Sequence, residues 1–242
     1  MSSDRRTAVA AGVLFLVTEI AAIGGLALDR PVLDGAPGAP GPDAVTSALL
    51  GALCELVLVA AVIGTGVVLY PVVRRRYEAM ALGYACLRLL EAAVITVGVL
   101  SVLTLLTLRR EAMGVEGVAG ADRALVALHE WTFLLGPNVA LGLNTTLLAY
   151  AMYRSRLVPR FIALLGLVGG PLICASGVAV MFGAYEQVSV TGSALAVPVF
   201  AWEVALAVRL IVKGFDRPRV GAADAPHTAL APAGASAGAL RA

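Results

Sequence analysis

Six long apolar runs predict an all-α integral membrane bundle with both termini on the cytoplasmic side. Each run reaches or exceeds the roughly 20 residues that a helix needs to cross a bilayer. Hydrophobic residues make up 60% of the chain and charged ones 14%, with a mean hydropathy of +0.90. Soluble domains hold about 45–50% apolar and about 25% charged residues. Arginines crowd the ends of the runs mainly on one side, which sets the orientation.

The first run, about 7–28, follows Arg5 and Arg6. Glu19 inside it, its length and the lack of a small-residue cleavage pattern before Asp29 argue for a retained helix over a signal peptide. Pro31, Pro37, Pro40 and Pro42, with several glycines, predict a loop from Asp29 to Ser47. The second run, about 48–73, ends at Tyr70-Pro71 before Arg74, Arg75 and Arg76, an aromatic and basic border of the interfacial type. The third, about 79–108, extends roughly 45 Å at about 1.5 Å per residue, so it tilts or protrudes.

A polar segment from Arg109 to about Leu128 follows. Trp131 and Phe133 then lead a fourth run, about 130–153, with Arg154, Arg156 and Arg160 around the turn at Pro159. The fifth, about 161–182, carries Gly166, Gly169, Gly170 and Pro171. Lipid-embedded helices tolerate these residues when neighbours re-satisfy the backbone, and the Gly166–Gly170 spacing suits close helix packing. The sixth, about 192–213, contains Pro198 and Trp202 and ends at Lys213. Residues 215–242 are rich in Ala, Pro and Gly, too poor in large apolar groups to offset the entropy of ordering, and are expected to be a disordered cytoplasmic tail.

With the N-terminus inside, the cytoplasmic segments hold thirteen basic residues, among them Arg5, Arg6, Arg74, Arg75, Arg76, Arg154, Arg156 and Arg160, whereas the opposite side holds Arg30, Arg109, Arg110 and Arg123. An even number of crossings returns the C-terminus to the same side. The single lysine, Lys213, against many arginines, with abundant Ala, Gly and Val, points to a GC-rich bacterial genome and so to a bacterial plasma membrane.

Four runs each carry a carboxylate far from their ends: Glu19, Glu55, Glu91 and Glu203. A charged side chain at the centre of a membrane helix costs roughly 2.5–3.5 kcal/mol on insertion scales, so such groups turn inward and find partners. Counting from the boundaries puts Glu19, Glu91 and Glu203 near the bilayer midplane and Glu55 nearer the outer leaflet. Arg88 is the one basic residue buried with them, three before Glu91 and therefore on its face. Tyr84 extends that face. Asn138, Gly142 and Thr145 form a polar or small stripe on the fourth helix that could support the same centre, and His129 and Glu130 stand at that helix's outer end. One arginine for four carboxylates leaves negative charge to be balanced by protons or cations.

Other chemistries find no support. Cys54, Cys86 and Cys174 lie within apolar runs, without disulfide or metal spacing. Paired histidines for a membrane haem are missing, with only His129 in the membrane part and His227 in the tail. No Walker loop, H-E-x-x-H or G-x-S-x-G occurs. No cofactor, metal or nucleic acid is therefore expected, and membrane lipids are the expected surroundings.

Particular segments resemble a bacterial family of multi-pass membrane proteins, domain of unknown function 4386. They are Thr7 to Leu16, Leu69-Tyr70-Pro71-Val72-Val73, Leu87-Arg88-Leu89-Leu90-Glu91-Ala92, Tyr150 to Ser155 before Pro159-Arg160, and Trp202-Glu203 with Lys213-Gly214. The likeness runs from about Arg5 to Gly214 and departs at the long Pro/Gly-rich first loop. It implies the architecture and supplies no activity. Three functional readings follow from the residues: binding or translocation of a cation, proton or small solute by Glu19, Glu55, Arg88, Glu91 and Glu203; a structural or regulatory role for the same cluster; and a lipid- or isoprenoid-modifying enzyme, which lacks a nucleophile, metal site or phosphate motif.

Overall fold

The computed structural model describes residues 3–35, 40–111 and 118–216. Among these residues, seven α-helices and one π-helical segment make six spans: α1 (Ser3–Leu33), α2 (Pro42–Val73), α3 (Glu78–Glu111), α4 (Val118–Leu134), the π segment (Leu135–Ala140), α5 (Leu141–Ser155), α6 (Arg160–Met181) and α7 (Val190–Val212). The fourth span runs from Ala119 to Ser155 through the π segment, and all six are long and apolar enough to cross a membrane. Pro137 has no N–H to give to the helical ladder, and the wide π turn forms around it.

Three boundaries differ from the sequence expectation, each for a physical reason. Both ends of the segment from Asp29 to Ser47 are helical: α1 continues through Pro31 to Leu33, and α2 opens at Pro42 behind Gly41. Proline in the first turn loses nothing, because the N–H it lacks would be unpaired there. The end of α1 is held because Arg109 donates to the Val32 carbonyl at 2.7 Å. The polar stretch after Arg109 also contains the start of α4, well before residue 130. Asp122 on α4 receives both Arg109 Nε at 2.5 Å and Nη2 at 2.9 Å, a buried fork that docks the added turns onto α3.

Of the disordered tail expected at 215–242, residues 217–242 lie outside the described residues. Its first residues are anchored, with Phe215 packed on the core and Asp216 donating its N–H to the Leu157 carbonyl at 2.8 Å and pairing with Arg209.

Sequence-adjacent spans pack side by side, α3 also meets α5, and α7 returns to α1, closing the bundle into a ring. At the closure Arg5 donates to the last carbonyls of α7, those of Leu210, Ile211 and Val212, at 3.0, 2.6 and 3.1 Å. A cation there meets both the unpaired carbonyls and the negative end of the helix dipole. On α6, a Cβ at Gly169 would stand 2.7 Å from the backbone nitrogen of Val199, so α6 and α7 touch through backbone.

The interior falls into three apolar layers along the bundle axis. The first holds Phe15, Leu69, Tyr84, Leu148, Trp202 and Leu206, the second Ala21, Leu58, Val62, Ala92 and Ile95, and the third Val32, Ala48, Val102, Leu105 and Leu106. The outward surface is also apolar, with Ile20, Val67, Leu89, Leu100 and Phe161 exposed. Polar side chains collect at the two seams between the layers.

Candidate functional site

The first seam is organised by Arg88, 2% exposed. Position 88 lies on the inward stripe of α3 with Tyr84 and Glu91, as helical periodicity requires. Its Nη1 donates to Glu91 Oε2 at 3.1 Å, its Nη2 to Glu203 Oε1 at 3.1 Å and its Nε to the Tyr84 hydroxyl at 3.1 Å. The guanidinium carbon stands 5.4 Å from the ring centre of Phe15 and 5.5 Å from that of Tyr84, so π faces add to the ion pairs. A Cβ at position 66 would come within 3.3 Å of Arg88 Cβ, so Gly66 on α2 leaves room for the arginine.

Glu91 accepts a second bond at 2.6 Å, from Asn144 Nδ2 on α5. Glu19 on α1 completes the group, lining the same cavity as Glu203. Carboxylate oxygens can only accept and like charges repel, so a proton or another cation suits two such groups on one cavity wall. Glu19, Arg88, Glu91 and Glu203 together line a cavity of about 270 Å³, which continues past Asn138 and Ser176 to Gln187 and Gly192 between α6 and α7. Around it three carboxylates face one guanidinium in a low-dielectric interior, where unbalanced charge is strongly disfavoured.

Of the five residues expected to share a site, the structure brings together Glu19, Arg88, Glu91 and Glu203, with Tyr84 as a direct partner. Glu55 is the exception. It sits in the second seam, between the second and third layers, where Asp29, Glu55 and His129 bring a carboxylate or ring atom each to within 4.8 Å of one another. Ten residues along α1 or α3 separate the seams, about 15 Å at about 1.5 Å per residue.

The expected stripe on the fourth span is also divided. Gly142 faces α6, where a Cβ would meet the Gly170 carbonyl. Asn138 lines the cavity and its side-chain oxygen accepts from Gln187 Nε2 at 3.4 Å. Thr145 is buried, and its hydroxyl has no hydrogen-bond partner among the described residues. Asn144, which contacts Glu91, falls off that stripe, and its one signal in the sequence is an amide in the middle of an apolar run. Phe15 carried none, since apolar residues surround it in the sequence. Cys54, Cys86 and Cys174 are free thiols.

Fold and site together define a polytopic α-helical membrane protein with a charged, cavity-lining centre. The chain belongs to the family described as domain of unknown function (DUF4386), whose model matches residues 10–214. No curated protein and no solved structure matches it.

Proposed function

We propose that the protein binds a proton or small cation at Glu19 and Glu203, and that the Arg88 centre is a step on its path through the membrane. The supporting observation is that both carboxyl groups line a cavity where one arginine is already engaged by Glu91, Glu203 and Tyr84. Arg88 holds Glu203 in place from one side. Glu19 brings additional negative charge to the same cavity, which suits a cation.

Under the positive-inside rule the termini, residues 74–76 and residues 154–160 are cytoplasmic, and the cavity opens towards the opposite face, where Gln187 lies. Lipid of a bacterial plasma membrane covers the outer apolar surface in this reading. A second reading, that the centre only specifies helix packing, draws on the completeness of the Arg88 contacts.

The two are separated by reconstituting the protein in vesicles and following acidification with an internal pH dye under an imposed proton gradient, with sodium and potassium tested in turn. Glu19→Gln should abolish the flux while the variant elutes and melts like the parent. Undiminished flux in that variant would sink the proposal. A parent protein with no flux of any of the three ions would favour the packing reading.

A further inference from the structure

We infer that Asp29, Glu55 and His129 form a site for a divalent first-row transition ion, distinct from the Arg88 centre. The three come from α1, α2 and α4, and all are buried, at 1%, 7% and 6% exposure. Both Asp29 carboxylate oxygens and Glu55 Oε2 lack any hydrogen-bond partner among the described residues. Carboxylate oxygens with no donor in the interior of a membrane bundle are costly, and a cation held between them resolves the defect.

The donor set has the right chemistry. Two carboxylates and one neutral imidazole carry a charge of about two negative, which a divalent ion cancels. Mixed oxygen and nitrogen ligation suits zinc, manganese or iron better than calcium or magnesium. His129 Nδ1 lies 3.4 Å from the Gly98 carbonyl oxygen, and since a carbonyl only accepts, this contact puts the ring proton on Nδ1 and leaves the Nε2 lone pair for a metal. Ligand atoms bound at about 2.0–2.2 Å from one ion lie up to about 4 Å apart, so shifts of under about 1 Å close the site.

Close approach is built into the neighbouring helices. The Asp29 carboxylate occupies the space that a Cβ at Gly51 would fill, and a Cβ at Gly25 would stand 2.9 Å from Glu55 Cγ. Any side chain at position 51 would therefore drive Asp29 away from Glu55. Access is present on both sides of His129: a cavity of about 680 Å³ joins it to Arg30, Asp34, Glu130 and Glu186 at the end of the bundle, and one of about 160 Å³ joins it to Glu55 and Thr132 inside.

The test uses the full-length protein in detergent, stripped with a chelator and titrated with zinc alone, the retained metal being counted by mass spectrometry after gel filtration and the affinity measured by calorimetry. One zinc per chain is expected. Asp29→Asn, Glu55→Gln and His129→Gln should each weaken binding at least about tenfold, whereas Glu111→Gln on the surface should not. A parent protein that retains no zinc, or variants that bind it as the parent does, would overturn the assignment. Should the variants fail to fold, X-ray absorption at the zinc edge of the loaded parent decides: one imidazole among oxygen ligands supports the site, and sulfur ligation or a shell without imidazole refutes it.

Discussion

Replacing Arg88 by Met tests the energetic logic of the first seam. Met fills much of the same space with a flexible apolar chain, so cavity formation is a minor part of the effect. What is removed is the charge that Glu91 and Glu203 face at 3.1 Å each, with exposures of the three side chains of 2%, 5% and 7%. Breaking a buried pair from one side leaves an uncompensated charge and costs about 3–5 kcal/mol. At about 2–4 °C per kcal/mol for a chain of this size, Arg88→Met should lower the melting temperature by about 6–20 °C. Intrinsic fluorescence of Trp202, in the layer beside the site, reports the transition in detergent. The triple variant Arg88→Met, Glu91→Gln, Glu203→Gln should regain at least half of the loss, because neutral amides can hydrogen-bond without needing a counter-charge. An unchanged melting temperature in the single variant, or a triple variant less stable than the single one, would refute the reasoning.

Three further outcomes follow from other parts of the bundle. Arg109→Gln breaks the buried fork to Asp122 and the cap on Val32, and should destabilise the docking of α4 by about 3–5 kcal/mol; hydrogen exchange across 118–134 should rise while that across α6 stays unchanged. The pair between Arg75 and Asp4 is more than half exposed on both sides, so Asp4→Asn should leave the melting temperature within about 1–2 °C, the small effect typical of exposed pairs. For orientation, Arg75→Cys should resist a membrane-impermeant maleimide in intact cells and Glu186→Cys should react; the reverse pattern would invert the assigned topology.

Much of the architecture was legible because it depends on local rules. A backbone in lipid must satisfy its own hydrogen bonds, so long apolar runs become helices whatever surrounds them. Arg88 and Glu91 were identifiable as a pair for the same reason, since three residues on a helix return to one face. The boundaries were less readable. Pro31 and Pro42 mark a loop by composition, yet one is accommodated in a last turn pinned by Arg109 and the other is suited to a first turn. Arg109 and Asp122 look like loop charges until the partner helix is in place.

The residues of the chain by themselves determined six helices, their apolar surfaces and the presence of carboxylates that must find company inside. Only the tertiary structure decided which company. Glu19 joins Glu203 because α7 closes the ring against α1, and Glu55 departs to Asp29 and His129 because its inward turn of α2 lies one layer further along the bundle. Periodicity assigns a residue to a face and a depth, whereas the partner at that depth depends on which helices become neighbours, a long-range outcome of packing that no local pattern encodes.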